Sequence, residues 1–220
     1  LIRCNHPKRG LVPPNMFRPL AEEIGLMPAI GEWVIDEACR AAASWPDSIS
    51  VSLNVSPKQI SLPALPNVVS EALGRHRVQG NRIELEVTEG VFLGDNGQTL
   101  DVLKRLRQLG VGIALDDFGT GYSSIGYLNK AIFHKLKIDG SFVREASTRP
   151  ENVAIIQSIV QLAQSFRMSV TAEGVETPED FERMRELGCD TIQGYLFGKP
   201  LSYARANEMV EGLSKTRLAG

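Results

Sequence analysis

Short apolar runs that end in polar residues alternate with helix-period segments along nearly the whole chain. The strand candidates, in chain order, are LIRC, SVSLNVS, RIELEVTE, VGIALDDF, KLKID, SVTAEGV and TIQGYLFG. The helix candidates are residues 28–45, 62–76, 99–109, 150–166, 178–187 and 202–213. A strand followed by a helix, repeated about seven times, predicts an α/β protein with a parallel sheet, either closed as a (β/α)8-type barrel or open and doubly wound.

The chain length and the absence of a long linker segment favour a single domain. A chain of 220 residues falls within the range of one large α/β domain, and the Pro-rich stretch 56–66 is too short for a domain linker. No GxGxxG motif follows an early strand, so the dinucleotide-binding form of the open sheet loses support. Thr177 before Pro178 predicts a helix start, and Gly110 and Gly188 stand where helices should end.

The composition argues against several classes of protein. The chain is 43% hydrophobic and 23% charged with a net charge of -2, which indicates no general attraction to nucleic acid polymers or anionic membranes. Three cysteines without CxxC spacing argue against a disulfide framework or a thiolate metal site. No apolar run approaches the roughly 20 residues that span a bilayer. We therefore expect a cytoplasmic domain, free or as the cytosolic part of a membrane-anchored protein.

Several strand candidates have one apolar face and one polar face. Side chains alternate between the two faces of a strand, so Leu85 and Val87 oppose Glu84 and Glu86. We expect the apolar faces to pack on the helices and the polar faces to point into a barrel. The polar residues near the carboxyl ends of their strands, where active sites of such folds are built, are Asn54, Glu86, Asp116, Lys137 and Glu173.

Four residues at this end of the strands, Glu86, Asp116, Asp117 and Glu173, are carboxylates. Carboxylates gathered in one cavity raise one another's pKa values unless cations relieve the repulsion. An all-oxygen set without clustered His or Cys favours Mg²⁺, Mn²⁺ or Ca²⁺ over zinc. Two adjacent aspartates could serve two ions about 3.5 to 4 Å apart, as in two-metal phosphoester hydrolysis. Lys137 could be a salt-bridge partner, or it could orient or deprotonate a water.

These signals also have ordinary structural interpretations. A single acidic residue at a strand end more often caps a helix or faces solvent than binds a metal. We expect Glu84 to be buried support deeper in the barrel and Glu89 to brace a loop. The DFG triplet at 117–119 lacks the nucleotide and catalytic loops of protein kinases. Three histidines are isolated in sequence and are expected to have structural or surface roles: His6, His76 and His134.

Together, the motifs resemble those of the bacterial EAL-type cyclic di-GMP phosphodiesterase domains. They occur in the order and at approximately the spacing of that family, from residue 1 to about residue 205. The motifs are LIRCNHPKRGLVPPNMFRPLAEEIG, SLNVSPKQ, IELEVTE, ALDDFGTGYSS, LKIDGSFV, TAEGVET and IQGYLFGKP. The resemblance implies a single α/β domain over residues 1–220, with a modified TIM-like (β/α)8 barrel that hydrolyses one phosphodiester of cyclic di-GMP to give linear pGpG.

The resemblance also implies roles for individual residues. The implied ligands of the first metal are Asn54, Glu86 and Asp116. Asp116, Asp117 and Glu173 would surround the second metal, and Lys137 would position the hydrolytic water. The implied catalytic residues are therefore Lys137, Glu173, Glu86 and Asp116.

Outside this set, the resemblance implies substrate contacts and support. Arg3 would contact a substrate phosphate with its planar, multi-donor guanidinium group, and Gln193 would be a polar residue on the substrate side. Glu176 would be a supporting carboxylate. Glu89 would anchor the DDFGTGYSS loop, which in relatives contributes to dimerisation and metal placement.

The implied cofactors are Mg²⁺ or Mn²⁺, as two ions, with Ca²⁺ expected to bind and inhibit. The implied partners are cyclic di-GMP as substrate, a second copy through the DDFGTGYSS loop region, and an upstream sensory or GGDEF-type domain. We expect no nucleic acid polymer as a partner and no membrane contact by this domain itself.

The chain departs from the family pattern at three places. The name-giving Glu of the EAL triplet, itself a first-metal ligand in the family, would stand two residues before Leu1. We expect that Glu and the first strand to lie upstream, in a longer protein. The family often has LPxDxLKID where this chain has AIFHKLKID, with Ile132 for Pro and His134 for Asp. Cys4 stands where an aromatic residue is common.

Three functions follow from these observations. We expect an active phosphodiesterase, because each ligand position within the chain is intact. The alternative is a non-catalytic cyclic di-GMP receptor that signals to a partner or a linked domain. A barrel hydrolase for another phosphoester is favoured only if the motif order is accidental.

Overall fold

The computed structural model describes residues 2–92, 97–120, 125–130 and 132–218. Its strands are β1 (Cys4–His6), β2 (Gly10–Val12), β3 (Val51–Asn54), β4 (Ile83–Thr88), β5 (Gly112–Phe118), β6 (Lys135–Ile138), β7 (Ser169–Ala172) and β8 (Thr191–Ile192). Its α-helices are α1 (Pro14–Glu23), α2 (Met27–Ser44), α3 (Pro57–Ile60), α4 (Leu65–His76), α5 (Gln98–Gln108), α6 (Gly140–Glu145), α7 (Pro150–Ser165), α8 (Pro178–Glu186) and α9 (Tyr203–Leu218). None of the helices in these ranges is long and apolar enough to cross a membrane.

Strands β3 to β8 form one parallel sheet in which each strand pairs with the next along the chain. The sheet curls into a half-barrel with helices on its outer face, which confirms the α/β, modified TIM-like architecture. In a parallel sheet of this kind all strands end at the same edge, so the residues that follow them meet at one mouth.

The N-terminal segment differs from the expected pattern. Residues 1–4 were expected to form a strand of the repeating parallel sheet, but the first described strand begins at Cys4 and pairs antiparallel with β2. The cause is the short link between β1 and β2, since only a hairpin can join strands that are so close in sequence. The last strand is also shorter than the TIQGYLFG run, because pairing with β7 involves only Thr191 and Ile192.

The apolar strand faces pack on the helices, as predicted. Leu85 and Leu136 are completely buried, and they belong to one continuous core with Ile35 of α2, Val69 of α4 and Ile156 of α7. Burying each such side chain contributes roughly 1.5–3 kcal/mol. The core therefore fixes which face of each strand is left to line the interior of the half-barrel.

The helix starts and ends agree with the sequence signals at three positions. The Thr177 hydroxyl accepts a hydrogen bond from Asp180 N at 3.1 Å and starts α8, as predicted. Gly110 and Gly188 follow α5 and α8 with φ of 82° and 89°, a left-handed conformation that glycine adopts without strain. Helices α1, α3 and α6 were not predicted. Helices α3 and α6 are too short for their periodicity to be detected, and α1 contains Pro19, which is unusual inside a helix.

Candidate active site

Two successive layers of polar side chains line the interior of the sheet. The inner layer consists of Ser52, Glu84, His134 and Lys135. The mouth layer consists of Asn54, Glu86, Asp116, Lys137 and Glu173. Side chains two residues apart on a strand share a face, and the register of β3 with β4 pairs Ser52 with Glu84 and Asn54 with Glu86. The two layers are therefore stacked along the strands, with the mouth layer at their carboxyl ends.

Lys137 is the centre of the mouth layer. Its Nζ atom lies 2.8 Å from Glu86 Oε1, 3.0 Å from Asp116 Oδ1 and 2.7 Å from Glu173 Oε1. Asn54 adds a hydrogen bond of 3.1 Å from Nδ2 to Glu86 Oε2. The structure thus brings together all five residues that strand alternation placed at the mouth.

Small residues on β5 make this arrangement possible. Gly112 pairs with Glu84 across β4 and β5, and Ala114 pairs with Glu86. Because β5 lies between β4 and β6, its small side chains let the two lysines of β6 reach carboxylates on β4. A Cβ added at Gly112 would lie only 2.9 Å from Cε1 of His134, so the glycine also makes room for that ring.

Asp117 reaches the mouth through a break in the strand. The pairing of β5 with β6 shifts register between residues 115 and 118, and Asp117 has a left-handed φ of 53°. Without this bulge, alternation would send Asp117 towards the helices. As it is, carboxylate oxygens of Asp116, Asp117 and Glu173 all lie within 4.8 Å of one another. Burial raises the pKa of Asp117, and the charges of Asp116 and Asp139 raise it further.

The charges of the mouth layer are incompletely matched. Burial raises the pKa values of Glu86 and Glu173, and the charge and hydrogen bonds of Lys137 offset this effect only in part. Burial alone would lower the pKa of Lys137, but the charge of Glu86 and hydrogen bonds to Glu173 and Glu86 raise it instead. A single ammonium group thus serves several carboxylates.

This donor set fits a divalent cation. Asp116 is only 6% exposed, and its Oδ1 lies 3.0 Å from Lys137 Nζ without the alignment of a hydrogen bond. A buried carboxylate oxygen without a hydrogen-bond donor is poorly stabilised by its surroundings. Clustered carboxylate oxygens with an amide nearby are the ligands that hard ions prefer, so the residues present fit the metal that the sequence predicts.

The inner layer is, by contrast, well satisfied. Glu84 Oε2 lies 2.8 Å from His134 Nε2 and 2.7 Å from Lys135 Nζ, while Oε1 accepts a hydrogen bond of 2.8 Å from Ser52 Oγ. Burial raises the pKa of Glu84, but hydrogen bonds from His134, Lys135 and Ser52 outweigh it and lower the pKa to about 2. Glu84 is therefore buried support below the mouth, as expected, and His134 has a structural role.

The other predicted site residues lie around the mouth. Glu89 Oε1 accepts a 3.4 Å hydrogen bond from Gly119 N, in the turn after Asp117, which is the contact expected of a loop brace. Glu176 is exposed in the segment between β7 and α8. Residues 121–124 of the DDFGTGYSS loop lie outside the described residues.

The two predicted substrate contacts are exposed. Arg3 donates a 2.9 Å hydrogen bond from Nη1 to the carbonyl oxygen of Ile2. Gln193 follows β8 and lines a cavity of about 620 Å³ that also includes Glu86 and Lys137 in its wall. A cavity of this size is in the range that holds a small-molecule ligand.

Asp139 is a site residue that sequence reasoning missed. It follows β6 and starts α6, where its side chain accepts hydrogen bonds from Ser141 N at 2.9 Å and from Ser141 Oγ. Its charge also helps to raise the pKa of Asp117, so it belongs to the electrostatics of the mouth. The sequence signal for this role was its position two residues after Lys137 in the alternating LKID run.

Comparison with known proteins gives the chain a family. A family model described as "EAL domain" matches residues 1–200. The chain is 42% identical over 205 residues to "Bifunctional diguanylate cyclase/cyclic di-GMP phosphodiesterase MucR" of Pseudomonas aeruginosa, which covers 91% of this chain and 30% of that protein. It is 37% identical over 214 residues to "Cyclic di-GMP phosphodiesterase NbdA" of the same species, which covers 96% of this chain and 27% of that protein.

The comparison of structures agrees with the comparison of sequences. The solved structure "PaMucR Phosphodiesterase, c-di-GMP complex" superposes with a TM-score of 0.88 at 40% sequence identity, over 94% of this chain and 85% of that chain. This chain spans less than a third of the length of the curated relatives MucR and NbdA. The match covers both polar layers and the motifs that carry them, and the chain belongs to the EAL domain family.

Proposed function

We propose that this domain hydrolyses cyclic di-GMP to linear pGpG in a reaction that depends on divalent metal ions. The observation that carries the proposal is the convergence of Glu86, Asp116, Asp117 and Glu173 on one mouth around Lys137. Membership of the EAL domain family supports the substrate, because MucR and NbdA are named as cyclic di-GMP phosphodiesterases.

Two ions of Mg²⁺ or Mn²⁺ would be held by the mouth layer and Asp117. Asn54, Glu86 and Asp116 would bind the first ion, and Asp116, Asp117 and Glu173 the second. Cations bound there would supply Lewis-acid chemistry, which neutralises charge on the phosphate and makes a bound water more acidic.

The residues of the chain would then orient the reactants. Lys137 points its ammonium group into the carboxylate cluster, where it can donate hydrogen bonds to the attacking water or to a phosphate oxygen. The water would release one proton to solvent as its oxygen forms a bond to phosphorus, the bond from phosphorus to the ribose 3′ oxygen would break, and that oxygen would take up a proton. The product keeps the phosphate on its 5′ end, which makes it linear pGpG.

Four further residues complete the proposed site. Arg3 would contact a phosphate and Gln193 would contact the substrate from the wall of the cavity. Glu89 would brace the loop that carries Asp117 through its contact with Gly119, and Glu176 would be a supporting carboxylate.

The test is product formation by the purified full-length protein. With cyclic di-GMP and Mg²⁺ or Mn²⁺, chromatography should show pGpG, and Glu86→Ala or Asp116→Ala should abolish it. Glu37→Gln is the matched control, since Glu37 is a half-buried carboxylate on α2 that forms an ion pair with Arg40, far from the strand ends, and it should leave turnover unchanged. Ca²⁺ should permit substrate binding without turnover. Tight binding without product under Mg²⁺ and Mn²⁺ would contradict hydrolysis and indicate a receptor.

We also propose that the domain pairs with a second copy near the loop after β5. Gly119 and one face of α7 line an apolar groove of about 300 Å³, to which Ile155, Ile159 and Leu162 contribute. Sedimentation of the purified domain should show a dimer that Ile155→Glu disrupts. A monomer at all concentrations would contradict this proposal.

The wider setting of the domain is part of the same proposal. The relatives MucR and NbdA are more than three times as long as the matched region, which supports a linked sensory or GGDEF-type domain. We also propose that the domain lies in the cytoplasm. Expression of the full-length gene product, followed by fractionation and domain mapping, tests both points.

A further inference from the structure

The turn after Asp117 packs against an aromatic ring. Gly119 has a left-handed φ of 95°, and a Cβ added to it would lie 3.2 Å from Cε2 and 3.4 Å from Cζ of Phe142. The ring edge therefore occupies the space where any other side chain of residue 119 would begin. The added Cβ would also lie 3.6 Å from Cδ1 of Ile159, so the turn packs against two hydrophobic side chains.

The turn is held from two sides. Glu89 contacts the backbone nitrogen of Gly119, while the Phe142 ring packs where a Cβ of residue 119 would lie. The turn itself closes on Asp117, whose carbonyl oxygen accepts hydrogen bonds from Thr120 N at 3.3 Å and Thr120 Oγ1 at 2.8 Å. Because the pairing of β5 with β6 is interrupted at this point, the turn and not the sheet fixes the direction of the Asp117 side chain.

Phe142 is itself firmly placed. It lies in α6, which begins at the Asp139 cap, and its backbone nitrogen donates a 3.1 Å hydrogen bond to Asp139 O. Its side chain packs against the hydrophobic core of the domain, next to Ile159 of α7. Because the ring is held in this way, the position of α6 determines where the turn can pack.

We propose that Phe142 is a positioning residue for Asp117. By packing on Gly119, it keeps the turn against Glu89 and holds the Asp117 carboxylate within reach of Asp116 and Glu173. Loss of the ring would let the turn relax and would weaken the second metal site, although Phe142 touches neither metal nor substrate. This inference rests on the proposed role of Asp117 as a metal ligand.

The test is a titration of Mn²⁺ into the metal-free domain, followed by electron paramagnetic resonance of the free ion. Phe142→Ala should weaken binding of the second ion about 10-fold, within the range for residues that orient a ligand, and Phe142→Leu should restore part of the affinity. Phe166→Ala is the matched control, because Phe166 is a partly buried ring on the same core at the far end of α7. It should leave both affinities unchanged.

A double variant distinguishes a specific effect on Asp117 from a general loss of packing in the domain. Asp117→Asn should remove the second site, and adding Phe142→Ala to Asp117→Asn should change Mn²⁺ binding no further. If the wild type hydrolyses cyclic di-GMP, Phe142→Ala should also raise the metal concentration needed for half-maximal turnover while KM changes less than the metal requirement.

The outcomes distinguish this inference from the proposed function. If the wild type binds two Mn²⁺ ions without hydrolysing cyclic di-GMP, the function fails while the Mn²⁺ titration still decides the role of Phe142. Equal losses in Phe142→Ala and Phe166→Ala, additive losses with Asp117→Asn, or no second ion in the wild type would each overturn the inference.

Discussion

The two polar layers inside the sheet use the same strands and similar residues, but they match their charges differently. In the inner layer, Glu84 has three partners at 2.8 Å or less, and its pKa is lowered to about 2. Two residues along the same strand, Glu86 shares Lys137 with Asp116 and Glu173, and its pKa is raised. Both layers have a lysine from β6 opposite a glutamate from β4.

The difference shows which of the two layers needs a bound cation to balance its charge. Buried charges are stable when they are paired and hydrogen-bonded, which the inner layer achieves with its own residues. The mouth layer has a surplus of negative charge, which a bound cation would neutralise. An ordinary structural network would have no reason to concentrate this surplus at the one edge where all strands end.

The largest expected difference is in turnover. Glu86→Gln should lower the rate of cyclic di-GMP hydrolysis more than about 100-fold, since it removes a proposed ligand and not only its support. Glu84→Gln should lower the rate less than about 10-fold, because Glu84 is one layer below the mouth. Steady-state kinetics with Mg²⁺ checks both values. Equal losses in the two variants would erase the functional distinction between the layers.

The next effect is on stability in the absence of metal. Lys137→Met leaves two buried carboxylates and one half-buried carboxylate without their shared ammonium group, which should lower the free energy of unfolding by about 3–5 kcal/mol in EDTA. Excess Mg²⁺ should recover much of this loss.

Lys135→Met is the matched variant of the inner layer. It leaves Glu84 with Ser52 and His134, so its loss should be smaller and should not respond to Mg²⁺. Urea unfolding with EDTA and with Mg²⁺ measures both variants. A Mg²⁺ response of the same size in Lys135→Met would contradict the assignment of cation binding to the mouth.

The pH dependence of stability should reveal the inner layer. The folded pKa of Glu84, about 2, lies below its usual value of 4.5, so the folded state favours the ionised carboxylate. Its contribution, roughly 3 kcal/mol, is complete above about pH 4.5 and is lost as the pH falls through 2. The difference in unfolding free energy between wild type and Glu84→Gln should therefore shrink as the pH is lowered from 6 to 3. A difference that grows on acidification would show that the sign is wrong.

The smallest effect concerns the glycine that makes room for His134. In Gly112→Ala, the new Cβ would lie 2.9 Å from the His134 ring, which must then move away from Glu84. We expect a loss of about 1–2 kcal/mol in unfolding free energy with little change in turnover. Gly74→Ala is the control: it lies in α4 with open space around it and should stabilise the helix by up to about 1 kcal/mol. Equal values for the two variants would rule out a steric role for Gly112.

Strand alternation predicted much of the site. It placed Asn54, Glu86, Asp116 and Lys137 on one face, because each stands on a strand whose opposite face is apolar. The parallel architecture followed from the repetition of strands and helices. Both predictions depend on local periodicity, which a single sequence records.

Other features depend on contacts that periodicity does not record. Asp117 reaches the mouth through a bulge and a left-handed φ, which no alternation rule anticipates. His134 precedes β6, and its contact with Glu84 needs the open space above Gly112 on a different strand. Phe142 was likewise indistinguishable from an ordinary core residue until the turn at Gly119 was seen against it.

The most direct test of the central claim is the binding of Mn²⁺ to metal-free wild type, Glu84→Gln and Glu86→Gln. Electron paramagnetic resonance of the free ion gives the affinity and the number of ions for each protein. The two-layer account predicts that wild type and Glu84→Gln bind Mn²⁺ alike, whereas Glu86→Gln binds it much more weakly. Equal binding by all three proteins, or greater loss in Glu84→Gln than in Glu86→Gln, would contradict it.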